Sequence, residues 1–238
     1  MLRHTAAVAR GLRHALLVAD MPFLSYQADL GEAVRHAGRL LRAGASAVKL
    51  EGGRRWAETV QRIVDCGIPV VGHLGYTPQS LVRFGRPRVQ GTELAAAEGL
   101  RRDAEALQDA GVSALVLEML PAGLAAEMTR ALQVPTIGIG AGAGCSGQIL
   151  VLHDVVGLTE KPPRLARSYA RAGRVIADAV RAYAGDVRAG IFPGPGETHY
   201  GTGWGPGAAA QTMATGTAAA AAGSLGAEPT PGPAEHRE

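Results

Sequence analysis

The sequence of 238 residues lacks several features that would assign it to a specialised class of protein. It has no apolar run near the ~20 residues that a membrane span needs. The segment MLRHTAAVARGL (1–12) lacks the apolar stretch of a secretion signal. The two cysteines, Cys66 and Cys145, are spaced neither as metal ligands nor as a disulfide framework. These absences argue against a membrane-embedded or disulfide-stabilised protein, and a cytoplasmic location is expected.

Aromatic residues are also scarce, at 4% of the chain, and the formal charge is only +3. The arginines are scattered, with Arg54-Arg55 and Arg101-Arg102 as the densest pairs. A nucleic-acid site would need a basic stripe interleaved with aromatic rings. We therefore interpret these pairs as solvated helix faces and expect neither a nucleic-acid nor a membrane partner. Lysine occurs only as Lys49 and Lys161, so a lysine kept at the end of an apolar run suggests a chemical role.

Short apolar runs rich in Val, Ile and Leu recur along the first two thirds of the chain. Continuous apolar runs are typical of strands buried on both faces, and hence of a parallel sheet. The six runs are ALLVAD (15–20), AVKLE (47–51), IPVVGH (68–73), ALVLE (114–118), PTIGIG (135–140) and ILVLH (149–153).

Segments with helical spacing separate most of these runs. Leu30, Val34, Ala37, Leu40 and Leu41 form one apolar stripe, and a second stripe runs through 94–107. Glycines at 44, 67 and 111 stand just past the predicted helix ends, where a left-handed residue is favoured. This repeat of strand, helix and glycine predicts an α/β fold with right-handed crossovers.

The number of strands leaves the architecture open. Six runs are visible, whereas a closed (β/α)8 TIM-type barrel has eight strands. A helical pattern from Leu2 to Leu12 precedes the first run, although a βα series begins with a strand. This predicts a barrel that lacks its first two strands. The two missing βα units, on the order of 60 residues in all, would precede Met1. The alternative is an open six-stranded sheet with an N-terminal helix.

The composition changes near Tyr200. Residues 201–238 consist mostly of Gly, Ala, Thr and Pro and have almost no large apolar side chains, so they cannot bury a core. We therefore expect an α/β catalytic domain at 1–200 and a disordered tail at 201–238.

Charged side chains stand at the carboxyl ends of the predicted strands, where parallel α/β folds bind ligands. Asp20 ends the first run and could ligate a divalent cation or cap the following loop. Lys49 and Glu51 alternate about Leu50, so both project from one face of their strand. They form either a buried ion pair or a site that meets a ligand.

Two further strand ends carry groups that could exchange protons. Glu118 follows four apolar residues, a setting that raises the pKa of a carboxylate and suits a general base, with a structural acid as the alternative. His73 could hydrogen-bond a substrate or cap its strand, and His153 and Asp154 end the sixth run in the same way. The Gly-rich segment 138–147 lacks the Lys-Ser/Thr of a P-loop, and a tight loop is the better interpretation.

Taken together, these residues predict one reaction class. A Mg²⁺ ion would polarise the carbonyl of a 2-oxo acid, a lysine would balance carboxylate or oxyanion charge, and a glutamate would take the α-proton. We therefore expect metal-assisted formation of an enolate at the strand ends.

The motifs resemble those of the ketopantoate hydroxymethyltransferase family, in the family's order and over nearly all of residues 1–200. They are VADMPFLSYQ (18–27), AVKLEGG (47–53), GIPVVGHLGYTPQS (67–80), VQGTELAAAE (89–98), ALVLEMLPAGLA (114–125), PTIGIGAGAGCSGQILVLHDVVGL (135–158) and FPGPGETHY (192–200).

The resemblance implies a (β/α)8 barrel that transfers a hydroxymethyl group from 5,10-methylenetetrahydrofolate to 3-methyl-2-oxobutanoate, giving 2-dehydropantoate for pantothenate biosynthesis. By motif, Asp20 would bind Mg²⁺ and contact the oxo acid, and Glu51 would be a metal-associated carboxylate. Lys49 and His73 would contact the substrate, and Glu118 would accept the proton lost in enolate formation. The family forms symmetric oligomers, so a homo-oligomer is also expected.

Two positions depart from the family's pattern. The family has an upstream strand ending in Gly-Asp-Ser, whose aspartate binds Mg²⁺, and the sequence contains no such segment. Ser146 stands where the family commonly has aspartate, which alters the hydrogen bonding expected of the adjacent loop.

Two other interpretations stay open on the sequence. Lys49 could act as a Schiff-base nucleophile in a barrel aldolase, which borohydride trapping would reveal. A barrel lacking two strands could also be a relic without activity, which a non-cooperative thermal transition would favour.

Overall fold

The computed structural model describes residues 1–199, and the tail expected at 201–238 lies outside the described residues. The chain divides into two compact units, of which Met1–Gly173 is the first and Arg174 begins the second. The first unit contains the whole sheet. In the second, the ring of Phe192 packs edge-on against Tyr183, with ring centroids 5.2 Å apart.

Strands and helices alternate through most of the first unit. The strands are β1 Val18–Asp20, β2 Ala47–Glu51, β3 Val70–Gly75, β4 Ala114–Glu118, β5 Thr136–Ile139 and β6 Gly147–Gln148. The helices are α1 Leu2–Gly11, α2 Leu30–Arg42, α3 Ala57–Asp65, α4 Leu81–Phe84, α5 Leu94–Asp109, α6 Ala122–Ala131, α7 Leu152–Val155 and α8 Ala172–Arg188. Single 3₁₀ turns lie at Arg54–Trp56 and Pro78–Ser80.

The six strands form one sheet in the order in which they occur along the chain, and every pairing is parallel. Within residues 1–199, β1 and β6 are the edges of this sheet. The predicted α/β class is therefore confirmed as a half-barrel of six parallel strands. Because all strands run in one direction, their carboxyl ends meet at a single edge of the sheet.

The two faces of the sheet bury different side chains. In β2, Val48 and Leu50 are fully buried in the core cluster that includes Ala33, Val60 and Leu107 of the helices. The residues between them point to the opposite face, since side chains alternate along a strand. There a smaller apolar cluster joins Ala47, Val71 and Val116, with Ile137 and Ile139 packed against it. We call this second face, away from the helices, the concave face.

The prediction of a sixth strand at 149–153 is wrong. β6 is Gly147–Gln148, and only Ile149 continues its pairing by donating its N–H to the carbonyl of Gly138, 3.0 Å away. Leu152 begins the short helix α7, so His153 and Asp154 do not end a strand. Ile149, Val151 and Leu152 of this run are 53–68% exposed, and strands buried on both faces need more cover than that.

The predicted helix ends are confirmed. Gly44, Gly67 and Gly111 each stand one residue beyond a helix C-cap with φ of +106°, +79° and +89°. Such left-handed backbone is favourable for glycine because it has no Cβ. Among residues 1–199, no helix combines the length and apolarity required to cross a membrane.

Candidate active site

Strand register brings the predicted site residues together on the concave face. Asp20 pairs with Lys49 across β1 and β2, and Glu51 pairs with His73 across β2 and β3. Glu118 is the last residue of β4, the next strand along the sheet. All five side chains therefore lie at the carboxyl edge of the sheet, as the sequence predicted.

Lys49 forms an ion pair with Asp20. Its Nζ lies 2.9 Å from Oδ1 of Asp20 and 3.3 Å from Nδ1 of His73. The lysine side chain is 16% exposed, whereas that of the aspartate is 51% exposed. The partner of Lys49 is thus Asp20, although the sequence had suggested a pair with Glu51. Because the carboxylate is half exposed, an incoming ligand could reach it from solvent.

Glu51 is a buried carboxylate whose negative charge is only partly balanced by its neighbours. Its Oε2 accepts the backbone N–H of Gln79 at 2.9 Å, and its Oε1 lies 3.9 Å from Nδ1 of His73. Burial raises the pKa of Glu51 above its ordinary value, and the negative charge of Asp20 raises it further. The hydrogen bond from Gln79 and the charges of His73 and Lys49 lower the pKa, but burial outweighs them. The site therefore favours additional positive charge near Glu51.

Two residues that hold Glu51 in place were not found from the sequence. The hydroxyl of Tyr26 donates to the carbonyl of Glu51 at 3.0 Å and accepts its N–H at 3.1 Å. Burial raises the pKa of Tyr26 to about 12. Gln79, besides its backbone bond to Glu51, donates its Nε2 to the carbonyl of Met21 at 2.9 Å. Both lie in the matched motifs, but no spacing rule links Tyr26 to Glu51 across 25 residues or Gln79 to Met21 across 58.

His73 lies between Lys49 and Glu118. Its Nε2 is 3.2 Å from Oε2 of Glu118, and its side chain is 4% exposed. That distance suits a hydrogen bond, but the angles of the contact do not. Within residues 1–199, Nε2 of His73 is the only buried side-chain nitrogen or oxygen without a hydrogen-bond partner. A small movement of either side chain, or a bound ligand, would satisfy it.

A cleft of about 1000 Å³ opens beside this cluster, at the ends of β2 and β3. We call it the arginine cleft, since Arg54, Arg55 and Arg83 line it. Glu51 also lines the cleft, so the cleft and the concave face share one carboxylate. Its aromatic lining residues are Phe23, Tyr26, Trp56 and Phe84.

Among residues 1–199, no three His, Cys, Asp or Glu side chains are grouped as ligands for a metal ion. Asp20 and Glu51 nevertheless supply the hard oxygen donors that Mg²⁺ prefers, and this ion is commonly held by one or two carboxylates with water and substrate oxygens. Burial raises the pKa of Glu51 and the charge of Asp20 adds to this, so a cation beside the two carboxylates would stabilise their charged forms. The residues present therefore fit a Mg²⁺ ion by the chemistry of their donors.

The Gly-rich segment is a tight loop, as predicted. A Cβ at Gly142, where φ is +80°, would come within 2.5 Å of Cβ of Ala122, so backbone and helix α6 approach closely. Ser146 exchanges hydrogen bonds with Thr136: its hydroxyl accepts the Thr136 N–H at 3.2 Å, and its own N–H donates to the Thr136 hydroxyl at 3.3 Å. Ser146 therefore ties this loop to β5.

Comparison with known proteins identifies the family of this chain. The model of the ketopantoate hydroxymethyltransferase family matches residues 1–195. A Syntrophotalea carbinolica protein named 3-methyl-2-oxobutanoate hydroxymethyltransferase is 57% identical over 197 residues, covering 82% of this chain and 74% of the relative. A Pyrobaculum neutrophilum protein of the same name is 54% identical over 193 residues, covering 81% and 74%.

A similar fold occurs among solved structures. A proposed phosphonomutase from Burkholderia cenocepacia J2315 superposes with a TM-score of 0.50 at 14% identity, covering 80% of this chain and 75% of that one. At this identity the likeness concerns the fold alone. The family match and the curated relatives confirm the resemblance seen in the sequence, and the chain belongs to the ketopantoate hydroxymethyltransferase family.

Proposed function

We propose that this chain transfers a hydroxymethyl group from 5,10-methylenetetrahydrofolate to 3-methyl-2-oxobutanoate, giving 2-dehydropantoate. The observation that carries the proposal is the contact between His73 and Glu118, which lie 3.2 Å apart beside Lys49. A carboxylate, an imidazole and an ammonium at one sheet edge are the groups that enolate formation requires.

The proton step assigns a role to each of these side chains. Glu118 takes the C3 proton of the oxo acid, and the electrons of the C–H bond move toward the C2 carbonyl oxygen. Lys49 lies where its ammonium balances the charge of the carboxylate or of the developing oxyanion. A small movement of either side chain would let Nε2 of His73 donate a hydrogen bond to the carboxylate of Glu118 and hold it in position. Water adds to the donor's methylene carbon and both of its C–N bonds break, so that the two nitrogens take up the protons of water and tetrahydrofolate leaves formaldehyde behind. The enolate carbon then bonds to the formaldehyde carbon, and the formaldehyde oxygen takes up the proton held by Glu118 to become the new hydroxyl group.

Asp20 and Glu51 are the residues that would hold Mg²⁺. When bound, the ion supplies Lewis-acid polarisation of the oxo acid's carbonyl. Tyr26 and Gln79 keep Glu51 in position, through its backbone and its carboxylate respectively. The half-exposed Asp20 is accessible to the substrate from solvent.

Exchange of the C3 proton tests the proposal without the donor. The protein, 3-methyl-2-oxobutanoate and Mg²⁺ are incubated in D₂O, and loss of the C3 proton signal is followed by NMR. Glu118→Gln should slow exchange about 10²–10⁴-fold, the usual contribution of a general base. Glu105→Gln is the matched control, since Glu105 is an exposed residue of α5. No exchange by a cooperatively folding parent protein would contradict the proposal, and a non-cooperative melt would instead favour a relic without activity.

A Schiff-base aldolase is the competing mechanism. The ion pair of Lys49 with Asp20 argues against it, because an ammonium group has no lone pair with which to attack a carbonyl. Borohydride should therefore trap no oxo acid on Lys49. A stable adduct on Lys49, found by mass spectrometry, would support the aldolase.

A further inference from the structure

Tyr76 lies beside Glu118 at the carboxyl edge of the sheet. It directly follows β3, and its backbone N–H donates to the carbonyl of Glu118 at 2.9 Å. Gly75, the residue before it, pairs with Glu118 across β3 and β4. A Cβ at Gly75 would collide with this same carbonyl, so the two strand ends approach each other too closely for a side chain between them. Tyr76 is therefore anchored directly next to the proposed base.

The side chain of Tyr76 is buried up to its hydroxyl group. The residue is 7% exposed, and its ring packs against Phe84 of α4 with centroids 5.7 Å apart. Its hydroxyl makes no hydrogen bond within residues 1–199. In this part of the chain, Nε2 of His73 is the only fully buried side-chain nitrogen or oxygen without a partner. The unpaired hydroxyl of Tyr76 is therefore not sealed inside the protein, and its oxygen keeps contact with solvent.

Two carboxylates of the candidate site act on this hydroxyl. Burial raises the pKa of Tyr76 above its ordinary value, and the negative charges of Glu118 and Glu51 raise it further. Electrostatic effects weaken with distance, so both carboxylates lie near the hydroxyl. Gly75 and Thr77 line the arginine cleft, whereas Tyr76 does not. The hydroxyl thus lies with the carboxylates rather than in the cleft, and because it keeps its proton at neutral pH it is a donor without an acceptor.

The proposed reaction creates an acceptor at this place. Glu118 first takes the C3 proton of the oxo acid and later gives it to the formaldehyde oxygen, so this oxygen comes within reach of Glu118. The oxygen gains negative charge while the enolate carbon bonds to the formaldehyde carbon. A hydrogen-bond donor held beside Glu118 stabilises that charge, in the way that an oxyanion hole does.

We infer that Tyr76 is a further catalytic residue, whose hydroxyl donates a hydrogen bond to the oxygen of the one-carbon unit while the carbon–carbon bond forms or breaks. Tyr76 keeps its own proton, and Glu118 carries the proton that is transferred. The inference rests on the proposed function and divides its two steps between the two side chains. Formation of the enolate requires Glu118 alone, whereas the carbon–carbon step requires both residues.

Two assays on the same protein separate these steps. Exchange of the C3 proton of 3-methyl-2-oxobutanoate in D₂O with Mg²⁺ reports enolate formation. Cleavage of 2-dehydropantoate to formaldehyde and 3-methyl-2-oxobutanoate, followed by NMR with Mg²⁺ and without folate, reports the carbon–carbon step in reverse. In this direction Glu118 takes the hydroxyl proton, the carbon–carbon bond breaks, and the enolate takes up that proton at C3. Tyr76→Phe should slow cleavage about 10²–10³-fold, the usual cost of removing one donor to an oxyanion, and leave the exchange rate within about twofold of the parent's.

Tyr169→Phe is the matched control, because Tyr169 is 70% exposed and lies in the same compact unit. Both of its rates should equal those of the parent protein, and the unfolding midpoint of Tyr76→Phe should match the parent's as well. A clearly lowered midpoint would mean that the hydroxyl of Tyr76 is structural and would count against the inference.

The ratio of the two rates decides the inference. Equal cleavage by Tyr76→Phe and the parent would overturn it. Equal losses of cleavage and exchange would also overturn it, since Tyr76 would then act through Glu118 or on the oxo acid. A parent that exchanges the C3 proton but cleaves no 2-dehydropantoate would overturn the inference alone, whereas a parent that exchanges no proton would contradict the proposed function and the inference with it.

Discussion

Replacing Tyr26 with phenylalanine should destabilise the first unit by removing one hydroxyl group. That hydroxyl is bonded to both the N–H and the carbonyl of Glu51, at 3.1 and 3.0 Å. Phenylalanine would leave these two buried backbone groups without that partner, and each buried unsatisfied group costs about 1–3 kcal/mol. Phenylalanine is easier to bury than tyrosine, which offsets part of this cost. We expect a net loss of about 2–3 kcal/mol in the free energy of unfolding.

Urea or thermal unfolding measures this loss. For a chain of this size, about 2–4 °C per kcal/mol is typical, so the midpoint should fall by roughly 4–12 °C. Tyr76→Phe is the matched control, because Tyr76 is 7% exposed and its hydroxyl makes no hydrogen bond within residues 1–199. It should change stability by less than about 0.5 kcal/mol. If Tyr26→Phe were as harmless as Tyr76→Phe, the hydroxyl could not be what holds the end of β2.

Three more predictions follow from the same region. Without Mg²⁺, Glu51→Gln should raise the unfolding midpoint, because it removes a buried carboxylate with a raised pKa. The variant should also lose the stabilisation of about 2.7 kcal/mol that a metal at 100 times its Kd gives the parent protein. An equal response of variant and parent to Mg²⁺ would exclude Glu51 as a ligand. Burial raises the pKa of Tyr26 to about 12, so its contribution to stability is complete below about pH 10 and is lost as pH rises toward 12. Denaturation at several alkaline pH values should therefore show a smaller decrease in the free energy of unfolding for Tyr26→Phe than for the parent protein. Gly53→Ala should destabilise the protein, because the new Cβ would collide with Asp103. Gly99→Ala in α5 is the control: its Cβ meets no atom within 4 Å, so it should stabilise the protein by about 0.4–1 kcal/mol. Thermal melts measure both effects, and equal midpoints for the two variants would show that no collision occurs at position 53.

Much of this fold could be predicted because its determinants are local. Apolar runs marked β2 and β4 to the residue, and single glycines marked the ends of α2, α3 and α5. The apolar run at 149–153 led to a wrong strand prediction, because hydrophobicity alone does not show whether neighbouring elements bury these side chains. The structure shows that they do not, and a short helix forms there instead.

The sequence predicted which residues gather at the carboxyl edge of the sheet, but not which of them contact each other. Strand ends and matched motifs identified Asp20, Lys49, Glu51, His73 and Glu118. The pairing of Lys49 with Asp20 and the contact of His73 with Glu118 depend on which strands are adjacent, which no local pattern contains. Mg²⁺ dependence, a homo-oligomer and a cytoplasmic location stay predictions.

Mutations on the two faces of β2 should have different effects. Val48 and Leu50 face the helices, so truncating either would create a cavity and lower the yield of folded protein. Lys49 and Glu51, one residue away in each case, lie on the concave face and contribute little to that core. A library that varies only the charged residues of the concave face, and leaves Ala47, Val71 and Val116 unchanged, would therefore alter the candidate site while the main core stays intact. Neighbouring positions of this one strand therefore act mainly on different properties of the protein: Val48 and Leu50 on the packing of the core, Lys49 and Glu51 on the charge of the candidate site.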